Sequence, residues 1–286
     1  MTSRLLSLVL CLVLASCATT QSVDPEAEPT VVAAAQEDLP KGEGESIDEH
    51  LFVPEPVDQA TEPDSKLPVE YDNVWARLVA DFSLPSCSDH EISLRWANWY
   101  ADHEAYMARV MKRAQPWIFF IAEELEARGM PGELALLPIV ESAYDPFAYS
   151  SGRALGTWQF VASTGKFYGL KQDWWYDGRR DVWASTHAAL DYLEFMHKKF
   201  DGDWLLALAG YNSGENRVAR RVASNLKKGK PADFWNISLP KETKGYVPKL
   251  LGLKCLFENP SEYGIELPKA PNHAVIAAVE METQSD

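Results

Sequence analysis

The sequence predicts a mainly α-helical domain carried behind a disordered N-terminal tether. From Val74 onward apolar residues recur at spacings of three and four rather than two, and no long alternating β-branched run interrupts them. Ahead of them, residues 18–66 hold thirteen Asp or Glu against Lys41 and Lys66, with several prolines and few aromatics. Such a composition cannot bury enough apolar surface to offset its ordering entropy. The 286 residues suffice for one or two domains with a sizeable core. The net charge of -15 sits mostly in the tether, since the chain from Leu67 onward carries -5. That balance excludes a general phosphate-backbone binder, and no nucleic-acid partner is expected.

The N-terminus reads as a lipoprotein signal. Arg4 precedes an apolar run over residues 5–15, too short to cross a hydrocarbon core that needs about 20 helical residues. The run ends in Leu14-Ala15-Ser16-Cys17, which resembles the bacterial lipobox, so Cys17 is the expected lipidation site. Ala18 rather than Asp follows it, which by resemblance to enterobacterial sorting places the protein at the outer membrane, facing the periplasm. A charged, Pro-containing segment extends by self-repulsion, and residues 18–66 would hold the domain away from that membrane. Cys87 and Cys255 remain; they either pair or stay as two buried thiols.

The helices follow in order. Pro116 is expected at the first helical position of a helix whose apolar face is Trp117, Phe120, Ile121 and Leu125, closed by Gly129 with Pro131 beyond. A second is predicted from about Gly132 into Ser142, and a third from Asp181 to about His197. A fourth is capped by Asp203 and stops at Asn212-Ser213-Gly214, and a last one covers about Glu242 to Phe257. Residues 143–180, rich in Gly and aromatics, are too long for a plain connector and are expected to be a functional loop region. Trp174, Trp175 and Trp183 are expected in the core.

Several chemistries fall away. The six histidines include no H-E-x-x-H, and His187 and His197 stand ten apart, so no metal centre is expected, nor any cofactor. Ser163-Thr164-Gly165-Lys166 lacks the leading glycine of a phosphate loop, where Phe160 stands. Gly210-Tyr-Asn-Ser-Gly214 lacks the G-x-S-x-G spacing of a serine hydrolase elbow. What remains is Glu141, closing the apolar stretch of residues 134–140. A desolvated carboxyl there has a raised pKa and stays protonated near neutrality, the condition for a general acid.

Ordered motifs around Glu141 extend this reading. Glu141-Ser142-Ala-Tyr-Asp-Pro146 is followed by Ser150, by Gly156-Thr-Trp-Gln159, by Tyr211-Asn212-Ser-Gly214 and by Glu242-Thr243-Lys-Gly-Tyr246-Val247. With these motifs the chain resembles the lysozyme-like lytic transglycosylases of the soluble-transglycosylase superfamily, most closely the membrane-bound murein transglycosylase D type, over about residues 70–268. The resemblance implies a goose-type lysozyme-like fold and a peptidoglycan glycan substrate. It also implies a single catalytic residue, Glu141, that forms 1,6-anhydromuramoyl ends. Ser150 and Gln159 are implied to hydrogen-bond the substrate, Tyr211 and Asn212 to line the groove, and Tyr246 to hydrogen-bond Glu141. Glu242 either binds substrate or caps its own helix, and Trp158 is a candidate for stacking on a sugar.

Two motif positions depart from the family: Thr157 stands for an apolar residue, and Gly210 for Ala. The chain thus divides into a signal peptide (1–16), a lipidated cysteine and acidic linker (17–66), a helical N-terminal part (67–130), a catalytic domain (131–268) and a flexible tail (269–286) with no LysM module. Membrane contact is expected through the Cys17 lipid. Two other readings compete: a goose-type hydrolase, which needs a second carboxylate such as Asp145 or Asp177, and a non-catalytic murein-binding lipoprotein.

Overall fold

The computed structural model describes residues 70–277. The signal peptide, Cys17, the acidic linker and the last nine residues lie outside them. Among the described residues there are helices and isolated β-bridges, and the mainly α fold stands.

Helix α1 (Val74–Ala80) is capped by the Asn73 side chain, which accepts from the Trp75 amide. Helices α2 (Glu91–Asp102) and α3 (Glu104–Ala114) follow with one residue between them. Helix α4 (Ile118–Ala127) starts two residues later than Pro116 predicts, because α3 runs on to Ala114 and Pro116 falls in the turn between the two. Gly129 sits just past the end of α4 at φ +60, the left-handed conformation that favours glycine. The predicted helix from Gly132 is a 3-10 turn, Gly132–Leu136, running straight into α5 (Leu137–Ser142).

Inside the expected loop region lies a short helix, α6 (Ala162–Phe167), which absorbs the phosphate-loop-like residues. Asp181 and Asp203 cap α7 (Val182–Lys199) and α8 (Trp204–Ser213) by accepting from Ala184 and Leu206 amides, at 3.0 Å each. Helix α9 (Glu215–Lys227) was not foreseen. Its apolar residues Val218, Val222 and Leu226 stand four apart; Val218 is buried, and Ala219 and Val222 pack partly buried against the core. Helix α10 (Lys241–Glu258) closes the domain.

Helix α8 is buried from Leu205 to Ser213, as an all-round apolar helix must be, and packs between α7, α9 and α10. Gly210 belongs to this packing: a Cβ there would lie 2.9 Å from the Phe200 ring and 3.0 Å from Met196 Sδ, which accounts for glycine where the family has Ala. Helix α10 crosses α2 at Gly252, where a Cβ would lie 2.8 Å from Ser93 O and 2.7 Å from Trp96 Cβ. Cys87 and Cys255 form a disulfide beside this crossing, Cα atoms 5.8 Å apart, which resolves the alternative left open by the sequence. The segment expected to be flexible from residue 269 begins pinned, with Ala270 O accepting from Val74 N and Asn73 Nδ2 donating to Pro268 O.

Candidate active site

Glu141 occupies the last turn of α5, a helix whose Leu137, Pro138 and Ile139 are buried in the core. The chain leaves it through two consecutive left-handed residues, Ala143 (φ 53) and Tyr144 (φ 57), neither of them glycine. Such conformations cost on the order of 1–3 kcal/mol each and persist only where the surroundings enforce them. Here Tyr144 N donates to Pro138 O, and the buried Tyr144 hydroxyl donates to Ala135 O at 2.5 Å. The backbone therefore turns sharply immediately after Glu141 and leaves its carboxyl at the end of a fixed helix.

Ser142 ties that helix to the next motif: its hydroxyl donates to Thr157 O at 2.8 Å. The turn holding Thr157 is itself rigid. Gly156 takes φ +86, and a Cβ on it would sit 1.8 Å from Arg179 O, so only glycine fits. Arg179 is buried, paired with Asp177 at 2.7 Å, and donates through Nη1 to Arg153 O and Phe160 O. Gln159, at φ 51, donates through Nε2 to Gly156 O (2.9 Å) and Ala148 O (3.1 Å). Ser150 Oγ accepts from Ala154 N at 3.0 Å. Both side chains thus brace the segment after Glu141.

Trp158 is fully buried, its indole N–H donating to Thr186 Oγ1 at 2.9 Å; it is core and offers no face to a sugar. The expectation for the other three tryptophans fails in the opposite direction. Trp174 and Trp175 are 87% and 91% exposed, and Trp183 is 40% exposed against Phe120. Trp174 and Trp175 ride a narrow hairpin that turns them outward, whereas Trp158 sits in the tight turn facing α7.

From α8, Tyr211 donates its hydroxyl to Trp158 O at 2.8 Å. Asn212, buried beside it, has an Oδ1 with no hydrogen-bond partner among the described residues, as does Gln159 Oε1. From α10, Tyr246 donates its hydroxyl to Glu141 Oε1, the contact the motif implied. Because Oε1 accepts, a proton carried by Glu141 rests on Oε2.

Burial dominates the electrostatics and pushes the Glu141 carboxyl up to about 8. The Tyr246 hydrogen bond opposes it, the Glu242 charge adds to it, and the Lys249 charge opposes it again. Burial also lowers the Lys249 ammonium, while Glu242 and Glu141 raise it. Glu242 is exposed at the first turn of α10, and at spacings of four and three Glu242, Tyr246 and Lys249 share one face of that helix. Lys249 was missed by sequence reasoning; its place one turn beyond Tyr246 was the available signal. Asp145 and Asp177, candidates for a second carboxylate, are ion-paired with Arg113 (3.0 Å) and Arg179. Among the described residues no group of three His, Cys, Asp or Glu could hold a metal, and no helix is long and apolar enough to cross a membrane.

The transglycosylase SLT domain family matches residues 118–234, from the start of α4 to the segment before α10. Residues 118–234 thus carry a lysozyme-like transglycosylase SLT domain. The chain is 49% identical over 182 residues to the membrane-bound lytic murein transglycosylase D of Escherichia coli (strain K12), an overlap covering 64% of this chain and 40% of that protein. It is 43% identical over 136 residues to a protein of Alteromonas sp. (strain M-1) named for tributyltin chloride resistance, across 46% of this chain and 66% of that one. Over 112 residues it is 37% identical to the peptidoglycan transglycosylase gp16 of Escherichia phage T7, covering 39% of this chain and 8% of that protein. This superfamily domain ends before α10, yet Tyr246 and Lys249 come from α10, so the site reaches beyond the matched span.

Proposed function

We propose that the protein cleaves the β-1,4 bond between N-acetylmuramic acid and N-acetylglucosamine in peptidoglycan, forming 1,6-anhydromuramoyl ends, with Glu141 as sole acid and base. The observation that carries this is a buried carboxyl, protonated at neutral pH, held at one oxygen by Tyr246 and aimed by a rigid turn. Oε2 gives its proton to the glycosidic oxygen as the C1–O bond breaks. The resulting carboxylate then takes the proton of the muramoyl 6-hydroxyl as O6 bonds to C1, and no water is consumed. An intramolecular nucleophile reaches an effective molarity of about 10⁵ M or more, which removes the need for a second carboxylate. Tyr246, through a hydrogen bond stronger to the carboxylate than to the acid, stabilises the intermediate state.

Arg113 and Arg179 engage Asp145 and Asp177, which disfavours a hydrolase with either as base. Gln159 Oε1 and Asn212 Oδ1 are acceptors for substrate amide or hydroxyl donors, and Tyr211 lines the same groove. Ser150 and Gln159 Nε2 hold the groove wall, and Glu242 tunes Glu141 from the rim. The catalytic unit spans 131–268 with the 67–130 helices packed on it. A lipid on Cys17 anchors the protein to the outer membrane, and the acidic linker gives it reach to the wall. Mass spectrometry of fragments released from purified murein tests the reading. Products one water lighter than hydrolytic muropeptides, lost in Glu141→Gln, support it; full-mass reducing ends would make the protein a lysozyme-type hydrolase.

A further inference from the structure

Residues 171–178 form a hairpin closed by a Gln172–Asp177 bridge, with Asp173 N donating to Tyr176 O (2.9 Å) and Gly178 N to Lys171 O (2.8 Å). Asp173 Oδ1 accepts from both Trp175 N and Tyr176 N at 2.9 Å, and Tyr176 donates its hydroxyl to Asp181 at 2.8 Å. This much bracing serves to present two side chains to solvent. Trp174 and Trp175, the most exposed large apolar residues described, stand with ring centroids 6.4 Å apart at 88°. Adjacent exposed indoles on a fixed backbone mark a binding surface, because solvent exposure of that much apolar area is otherwise unfavourable.

The chemistry of the tip selects its occupant. Residues 171–178 contain no aliphatic side chain; the indoles stand among Gln172, Asp173, Tyr176 and Asp177. Aromatic faces beside amide and carboxylate groups suit a pyranose, whose polarised C–H bonds lie on the electron-rich ring while its hydroxyls find acceptors. Lys171 is paired with Asp173 and Arg179 with Asp177, so the tip offers an anionic lipid surface little positive charge.

The hairpin is also fastened to the reacting centre. The Arg179-Arg180 backbone at its base lies against Gly156 of the turn that Ser142 grips, and Arg180 lies 5.9 Å over the ring of Phe147, exposed on the segment leaving Glu141. A sugar held at the tip is therefore held at a fixed offset from Glu141.

We propose that Trp174 and Trp175 form a second glycan-holding surface that stacks on N-acetylhexosamine rings of the strand being cut, remote from the scissile bond. This rests on the function proposed above. The tip captures the polymer and leaves the bond-breaking step untouched.

The test uses the full-length chain with Trp174 and Trp175 both changed to Ala, and separately both to Phe. Loss of two stacking contacts predicts a KM for polymeric murein raised about tenfold, with kcat changed less than about twofold. Sedimentation with murein in a Glu141→Gln background should show the same loss, the Phe pair should recover most of it, and both side chains being exposed, Tm should not move. Unchanged KM and unchanged murein sedimentation would overturn the proposal. So would a loss confined to phosphatidylglycerol vesicles, which would make the tip a lipid contact. If the unaltered chain binds murein without cleaving it, the proposed activity fails, while the binding comparison still decides the role of the tip.

Discussion

Two buried carboxylates stand eight residues apart on the same continuous helical stretch, and their surroundings give them opposite work. Glu133, fully buried, accepts from the Ser83 amide (3.1 Å), the Leu84 amide (2.8 Å) and the Lys254 ammonium (3.0 Å). Glu141 is nearly as buried but receives one tyrosine hydroxyl. Three donors, one of them cationic, use up the Glu133 carboxyl as a structural tie that joins α10 to the start of the 132–136 turn. One neutral donor leaves the other as an acid with an oxygen to spare. The number and charge of the donors, more than depth, separates scaffold from chemistry.

The sharpest break of this comparison is Glu141→Gln, which keeps the shape and the Tyr246 contact but carries no transferable proton. Murein cleavage should fall by about 10³-fold or more, within the range for loss of general acid–base catalysis. The same variant should be more stable at alkaline pH. A carboxyl raised to about 8 folds without penalty below its unfolded value near 4.5 and loses stability as pH climbs toward 8. Urea titrations should show the variant gaining on the parent by about 4 kcal/mol between pH 5 and pH 9.

The complementary break is Lys254→Ala, which strands Glu133 inside the protein. Removing one partner of a buried pair costs about 3–5 kcal/mol, and chemical denaturation should report a loss of that size. A Lys254→Met chain that is as stable as the parent would show that Glu133 needs only its two amides.

Tyr246→Phe sharpens the contrast at smaller amplitude. Its kcat should fall about 10- to 100-fold for want of a donor to the carboxylate, roughly the 1.5–3 kcal/mol of a charged hydrogen bond. The surviving activity should persist to higher pH, because the Tyr246 hydrogen bond lowers the Glu141 pKa. Smallest are two opposite shifts of the alkaline limb: Lys249→Met moves it up and Glu242→Gln moves it down, each by less than about one unit. Limbs moving the same way would remove the electrostatic role given to α10.

How far the sequence reveals this arrangement depends on whether the deciding interaction is local. Asp181 and Asp203 announce their helices because a cap needs only the next three residues. Glu141 announces itself through the apolar stretch before it, and Tyr246 through its motif. Helix α9 did carry a local signal, Val218, Val222 and Leu226 standing four apart behind Gly214, and it was passed over because helical structure was taken to end at Gly214. The tryptophans were misplaced because burial is a tertiary property: Trp158 is enclosed by α7 and α8, while a hairpin defined by Asp173 turns Trp174 and Trp175 outward. Lys249 escaped because its significance lies in proximity to a carboxyl more than a hundred residues away.

The crossing of α10 over α2 at Gly252 also decides when the domain can close. The apolar side of α2 is covered only by a helix far along the chain, and Cys87 must find Cys255 across 168 residues. Pairing over such separations is slow, and the uncovered surface is open to misassociation meanwhile. A product truncated before residue 252 therefore loses both the part of α10 that crosses α2 and the covalent lock beside it.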